Sequence, residues 1–126
     1  MKLDSINLGS LAWVDEFEWD AVAQETERSV SGRLLVQEGV KHYGRPITLR
    51  SDGGEWTPLS VVRSLELLRD EQGRVMTLTL PDSRQFSVIF NRDAPPLEAA
   101  QVFRHDNPGP DHMYEIAVRL LTVEEP

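Results

Sequence analysis

The 126-residue sequence contains no cysteine. Disulfide frameworks, thiol catalysis and the usual cysteine-ligated structural zinc sites are therefore excluded. Long apolar runs are also absent, so we expect no segment that spans a bilayer. Residues 1–20 lack a positive leader followed by an apolar stretch, which argues against a secretory signal peptide. We therefore expect synthesis in the cytoplasm and no membrane partner.

Positive charge is scarce, because 13 basic residues face 21 acidic ones and the net charge is −8. Lysine occurs only as Lys2 and Lys41, so the other 11 basic residues (13 less 2) are arginines. Arginine pairs bidentately with carboxylates and suits protein interfaces, although a GC-rich genome explains the bias equally well. The net charge disfavours non-specific binding of nucleic acid, which requires a cationic face.

The negative charge is concentrated in residues 1–31, which hold −5 of the total, seven acids against two bases. The acids are Asp4, Asp15, Glu16, Glu18, Asp20, Glu25 and Glu27. A solvated surface that keeps the protein soluble is the simpler interpretation, and composition alone favours it. The sharper hypothesis is an acidic surface along which DNA passes without sticking.

The chain has one domain's length, and its 40% hydrophobic content is that of a soluble globular protein. We divide the single domain, 1–126, by its hydrophobic pattern. The predicted parts are an N-terminal arm at 1–21, a long β-hairpin at 22–51, a helix at 57–72 and further strands at 75–123. Within the hairpin we expect one strand over 22–38, polar at 24–29, bent at Gly32 and buried at 34–36.

The helix is the best-defined predicted element. Thr57 is the expected N-cap, Pro58 suits the first helical position, and Gly73 is placed to end the helix. A turn-rich loop at 51–55 precedes it. After it, alternating residues predict a hairpin over 75–90 with its turn at 81–84, a strand at 98–103 and a final strand at 114–121.

The sequence offers no catalytic constellation, and we expect no enzyme activity, cofactor or metal. No Gly-x-Ser-x-Gly elbow is present. His42, His105 and His112 match no metal-ligand spacing, and surface histidines are the better interpretation. The acids at 15–20 lack the glycine and glutamate of a calcium loop, since Phe17 and Trp19 interrupt them.

Three aromatic residues, Trp13, Phe17 and Trp19, lie inside the acidic N-terminal segment. In an extended chain, Phe17 and Trp19 share one face. Covering one end of a sheet is the expected role, and an aromatic anchor for a partner chain is the alternative.

The order of short motifs resembles that of small tail proteins of long-tailed (siphovirus-like) bacteriophages and prophages. The resemblance covers most of 22–123 and rests on four stretches. They are Val36 to Leu49, Met76-Thr-Leu-Thr-Leu, Arg84-Gln-Phe-Ser-Val-Ile-Phe and Tyr114-Glu-Ile-Ala-Val-Arg-Leu-Leu, with the helix before the second. The family's hairpin commonly reads Asp-Gly-Arg, and here Ser83 replaces the glycine.

This resemblance implies an α+β, mainly β fold: a tail-tube-like β-sandwich or curled antiparallel sheet with one packed α-helix and a long β-hairpin. It implies a structural protein of the virion tail or tail tip, such as a distal tail protein. Such subunits form rings, typically hexameric, around a channel for DNA, and their partners are copies of themselves and other tail proteins. No small-molecule substrate is implied.

The residues expected at the subunit interface or lumen are Glu25, Glu27, Arg28, Trp13, Phe17 and Trp19. Acidic side chains lining a lumen would repel passing DNA. The alternative function is a monomeric module that binds a peptide or carbohydrate through Trp13, Phe17 and Trp19.

Overall fold

The structure, a computed structural model, describes residues 1–52 and 55–124. These ranges contain β1 (Lys2–Leu3), β2 (Ile6–Asn7), β3 (Ala12–Trp13), β4 (Val22–Arg28), β5 (Leu34–Val40), β6 (Pro46–Arg50), β7 (Thr57–Pro58), α1 (Leu59–Arg69), β8 (Met76–Thr79), β9 (Gln85–Phe90), β10 (Leu97–Gln101) and β11 (Met113–Thr122). The predicted α+β, mainly β class with one helix is therefore confirmed. Gly53 and Gly54 of the predicted loop lie outside the described residues.

Strand β11 is the centre of the fold because four other strands pair with it, all antiparallel. β6 and β7 pair along one edge, and β9 and β10 pair along the other. Its side chains alternate as the sequence predicts: Ile116, Val118 and Leu120 are buried in the core. The strand therefore joins segments that are distant in sequence around one apolar row.

The nine-stranded sheet runs in the order β2-β1-β8-β9-β11-β6-β3, with β7 and β10 also on β11. The N-terminal strands belong to this sheet, and Leu3, Leu8 and Leu11 are buried in the core. The predicted arm at 1–21 is therefore wrong for its first part. The physical reason is burial: three leucines this close together contribute more in a core than in a free segment.

Helix α1 packs on the sheet through Val62 and Leu65, which are buried. It begins two residues later than predicted, because Thr57 lies in β7 and Pro58 is the cap residue without a side-chain hydrogen bond. Two carbonyls of the loop before β11 satisfy the first helical donors instead. The Leu59 N–H donates to the His112 carbonyl at 2.9 Å, and the Ser60 N–H donates to the Pro110 carbonyl at 3.1 Å.

The long hairpin differs from the predicted one. β4 pairs with β5 and not with β6, so the hairpin spans 22–40 and the predicted boundaries 22–51 are wrong. The predicted single strand at 22–38 is interrupted at Ser29, whose N–H donates to the Arg33 carbonyl at 2.8 Å. Gly32 has a φ of +85° and belongs to this turn, where glycine adopts the left-handed region without strain. It is not a bulge.

Strand β6 is not part of the hairpin, because its apolar residues are buried in the main sheet. Ile47 and Leu49 are both fully buried in the core. β6 lies between β11 and β3 in the main sheet. The alternation Pro-Ile-Thr-Leu-Arg predicted a strand correctly, but its partner is set by burial across long sequence distances.

The second predicted hairpin is confirmed, since β8 pairs with β9 around residues 80–84. The Ser83 N–H donates to the Leu80 carbonyl at 3.0 Å, and the Leu80 N–H donates to the Arg84 carbonyl at 2.9 Å. Ser83 has a φ of 75°, a left-handed conformation that costs a residue with a Cβ atom. The serine therefore stands at a position that suits glycine.

Replacing Ser83 with glycine is expected to stabilise the protein. The gain in the free energy of unfolding should be about 1 kcal/mol, because glycine adopts this φ without the Cβ clash. Urea denaturation followed by circular dichroism measures the change.

Ser31→Gly is the matched control, because Ser31 lies in the other hairpin turn and has no positive φ. That change should leave stability unchanged or lower it slightly. Equal effects of the two substitutions would show that left-handed strain at Ser83 is not the cause.

Candidate functional site

The β4–β5 hairpin is a two-stranded sheet of its own and pairs with no strand of the main sheet among the described residues. All 14 of its strand residues are exposed. With seven residues in each strand, it extends roughly 23 Å. Since no residue of it belongs to the core cluster, the hairpin is an element presented to the surroundings.

One face of the hairpin, the acidic face, carries Glu25 and Glu27 on β4. Opposite them in register are Gln37 and Leu35, and the pair Ala23–Gly39 completes this face. No basic residue lies on the acidic face within these strands. The two predicted glutamates are therefore brought together, and the basic residues nearest to them on this face, Arg33 and Lys41, lie beyond the ends of the two strands.

The opposite face, the valine face, carries most of the apolar side chains of the hairpin. Its residues are Val22, Gln24, Thr26, Arg28, Leu34, Val36, Glu38 and Val40. Leu34 and Val36 are 49% and 47% exposed, so the predicted burial at 34–36 is wrong. The reason is topological: among residues 1–52 and 55–124, β4 and β5 pair only with each other and all their residues are exposed.

Both edges of the hairpin are open to further pairing. The Lys41 N–H donates to the Ala21 carbonyl at 2.7 Å, and the Ser29–Arg33 bond closes the other end. Antiparallel pairs alternate between bonded and non-bonded, so Thr26 and Val36 direct their main-chain N–H and C=O groups outward. Unpaired outward groups of this kind are templates for pairing with another chain.

A second cluster brings Trp13 and Trp19 together around Arg45, which was not predicted as a site residue. The guanidinium carbon of Arg45 lies 4.6 Å from the ring centroid of Trp13 and 5.7 Å from that of Trp19. Arg45 Nη2 donates to the Glu16 carbonyl at 2.6 Å. Phe86 meets Trp13 edge to face, at 5.8 Å between centroids. Cation–π contacts and aromatic packing hold this cluster on the main sheet.

Phe17 does not join this cluster. The chain turns at residues 14–17, and the Phe17 side chain is 94% exposed. The prediction that Phe17 and Trp19 share one extended face is wrong, because the Glu18 N–H bonds back to the Asp15 carbonyl at 3.2 Å. Arg28, the sixth predicted residue, lies at the far end of the hairpin and donates to the Gly32 carbonyl at 3.2 Å.

Arg84 links the second hairpin to the aromatic cluster. It donates to the Glu16 carboxylate at 3.0 Å and to the Asp82 carboxylate at 2.7 Å. These carboxylates, Glu16 first, raise the pKa of Arg84 above its usual value. The Arg84 N–H and guanidinium hold the pKa of Asp82 below its usual value. Asp82 therefore stabilises the fold at pH values above the pKa that it has in the unfolded chain. This contribution is lost as the pH falls through the lower pKa of the folded state.

A groove of about 430 Å³ opens beside the aromatic cluster, at the root of the hairpin. It is lined by Trp19, Tyr43, Arg45, Gln85, Phe86, Ser87, Thr122 and Val123. Tyr43 has a φ of 60°, and the adjacent Gly44 has a φ of 77°. Two successive left-handed residues turn the chain from the hairpin into β6. Of the residues that line the groove, Trp19 alone was selected from the sequence as a site residue, and Gly44 indicated only a turn.

The loop between β10 and β11 holds two of the three histidines. The rings of His105 and His112 lie 5.7 Å apart, and His112 also packs against Tyr114. Within residues 1–52 and 55–124, no group of three or more histidine, aspartate or glutamate side chains is arranged to hold a metal ion. Over the same ranges, no helix has the length and apolar character needed to cross a membrane.

Comparison of the chain with models of protein families, with curated proteins and with solved structures gives no match. Function is therefore inferred from the sequence and from the geometry of the hairpin and the groove.

Removing the long hairpin should leave the rest of the protein folded. Residues 22–40 are replaced by a short Gly-Ser linker, which can join Ala21 to Lys41 because these two residues are hydrogen bonded. No core residue is lost, so the free energy of unfolding should change by less than about 1 kcal/mol. Thermal denaturation and amide NMR spectra measure the result.

The control is replacement of the β8–β9 turn, residues 80–84, together with Leu78, which is fully buried. That variant should be strongly destabilised. Loss of cooperative folding on removal of 22–40 would show that the hairpin is part of the core domain.

Proposed function

We propose that this chain is a structural protein of a bacteriophage tail or tail tip, and that it joins a ring around the DNA channel through its long hairpin. The main observation that supports this proposal is that the hairpin is exposed on both faces and unpaired at both edges among the described residues. The resemblance of 22–123 to small tail proteins supplies the biological setting. In this setting the protein is made in the host cytoplasm and resides in the virion tail.

Edge pairing between copies supports this proposal on physical grounds. A free β4 edge and a free β5 edge on one hairpin are different surfaces, so pairing them joins copies head to tail. A head-to-tail contact forms a ring when the rotation between copies closes. In a closed ring no edge is left exposed, and the aggregation hazard of the free hairpin is removed.

The division of the hairpin into two faces supports the same assembly. The valine face carries apolar side chains such as Leu34 and Val36, which gain free energy when a neighbouring subunit covers them. The acidic face is then free to border the channel. Glu25 and Glu27 repel phosphates there, so DNA passes without binding. Copies of the chain and other tail proteins are the partners, and there is no substrate to turn over.

A proline at position 26 tests the edge pairing directly. The Thr26 N–H points out of the hairpin, so Thr26→Pro removes a donor needed by a neighbour and no bond within the hairpin. We expect self-association to weaken by about tenfold or more, and Val36→Pro should act likewise on the other edge. Sedimentation velocity over a range of concentrations measures the effect.

Thr26→Ala is the matched control, because it keeps the N–H and should leave association within about twofold of the wild type. The hairpin amide resonances of the proline variants show whether the hairpin remains folded. The proposal is contradicted if the wild-type chain stays monomeric at all concentrations, both alone and with other tail proteins.

Reversing charge on the acidic face should create DNA binding. The variant Glu25→Lys with Glu27→Lys presents two cations on the hairpin, so assembled protein should retain duplex DNA at about 50 mM salt and release it near 200 mM. Gel mobility shift across a salt series measures retention, and wild-type protein should retain none.

The control carries the same charge change on the helix, as Glu66→Lys with Asp70→Lys. Both control residues lie at the exposed side or end of α1. Equal DNA retention by both variants would indicate a general effect of net charge. It would contradict the proposal that Glu25 and Glu27 border the DNA channel.

A further inference from the structure

The groove at the root of the hairpin has the dimensions of a binding site. Its volume of about 430 Å³ lies within the usual range for ligand pockets. Trp19, Tyr43 and Phe86 supply aromatic walls, and Arg45 supplies a charge. An apolar cleft with one cationic group at its wall has the composition of a recognition site.

One wall of the groove is an edge of β9 that is free among the described residues. β11 pairs with β9 only at Val88–Phe90, while β9 continues to Gln85. The Val123 N–H donates to the Ser87 carbonyl at 2.8 Å, so Ser87 faces the β11 side. Two residues earlier, the main chain of Gln85 faces the same side, and no strand of the described residues reaches it. An extended peptide can pair with such an edge.

Arg45 brings an uncompensated charge to the groove. Among the described residues, no carboxylate lies within ion-pair distance of it. The nearby Glu16 carboxylate is bound to Arg84 instead. Arg45 Nε and Trp13 Nε1 are buried donors without an acceptor. These two buried atoms do not reach the groove, but the guanidinium has no carboxylate partner among the described residues, and a carboxylate, which only accepts, complements it.

Tyr43 is held in a strained conformation at the mouth of the groove. A φ of 60° is unfavourable for a bulky side chain. The conformation is maintained by its neighbours, since the Gly44 N–H donates to the Thr122 carbonyl and the Arg45 N–H donates to Thr122 Oγ1, both at 2.8 Å. Strain maintained in this way clusters at ligand-binding positions.

We propose that this groove binds an extended acidic peptide segment of another protein. The main chain of the segment pairs with the Gln85 edge, and an aspartate or glutamate carboxylate binds the open side of Arg45. A neighbouring apolar side chain packs between Trp19 and Tyr43. The free strand edge favours a peptide over an acidic sugar, because a sugar has no amide ladder to pair with it.

The peptide site does not depend on the proposed tail function. It lies on the main sheet and at the hairpin root, whereas the ring contact uses the edges of 22–28 and 34–40. A tail protein nevertheless gains from it, because a segment bound beside Tyr43 and Gly44 touches the connection that sets the direction of the hairpin.

Titration by NMR tests this proposal. The probe is acetyl-Val-Thr-Glu-Val-Thr-amide, added to labelled full-length protein while the Arg45 Nε–H, the two indole N–H signals of Trp13 and Trp19 and the Gln85 amide are followed. We expect these signals to move together with a dissociation constant of about 1 mM or tighter. The same peptide with glutamine in place of glutamate should bind about fivefold more weakly or worse.

Two variants separate the parts of the site. Arg45→Gln should abolish the preference for the glutamate peptide, and Gln85→Pro should weaken both peptides because the edge donor is lost. Arg63→Gln, on the exposed surface of α1, is the matched charge control and should bind as the wild type does. Unshifted core amides show which variants remain folded.

Four outcomes would overturn the proposal. They are no movement of the groove signals, equal binding of both peptides, binding of glucuronic acid as tight as that of the peptide, and groove signals that move with protein concentration and not with peptide. The third outcome identifies a sugar-acid site, and the fourth identifies a second copy as the occupant. None of them decides whether the hairpin edges form a ring, which the Thr26→Pro measurement tests separately.

Discussion

The structure depends on the pairing of β11 with four strands. These four strands are separated widely in sequence. β6, β9 and β10 meet β11 along the buried row of Ile116, Val118 and Leu120, and β7 pairs with the start of β11. β6 pairs with β11 and not with β4 or β5, because Ile47 and Leu49 are buried opposite Leu120 and Val118. In the part of the chain that the structure describes, β4 and β5 then pair only with each other, and the projecting hairpin is the consequence.

The hairpin and the groove follow from the same end of β11. Thr122 accepts hydrogen bonds from Gly44 and Arg45, which fixes the root of the hairpin beside the open part of β9. Apolar side chains on the valine face and unpaired groups on both edges remain in water in the single chain. Exposing them costs free energy that only a second chain can recover. This cost is the physical basis for proposing a protein that assembles.

Local pattern in the sequence predicted individual elements well. The alternation at 114–121 and the turn at 81–84 are where the pattern places them, and α1 differs from the prediction mainly at its ends. Partnership between strands was not predictable in the same way. The sequence Pro-Ile-Thr-Leu-Arg does not indicate whether β6 pairs with β4 or with β11, because its alternation of apolar and polar residues is compatible with both partners.

The candidate site was predicted in part. Glu25 and Glu27 are two residues apart and therefore share a face in any extended chain, so this part of the site was predictable from the sequence. Arg45 was missed because its role arises from Trp13 and Trp19, which approach it only through the fold.

Amide hydrogen exchange on assembled protein tests the central claim most directly. In the free chain the outward N–H of Thr26 and Val36 should exchange fast and the inward N–H of Glu25 slowly. Assembly should slow exchange at Thr26 and Val36 by tenfold or more, about 1.4 kcal/mol or more of protection. Fast exchange at both positions within an assembled particle would contradict the pairing of hairpin edges between subunits.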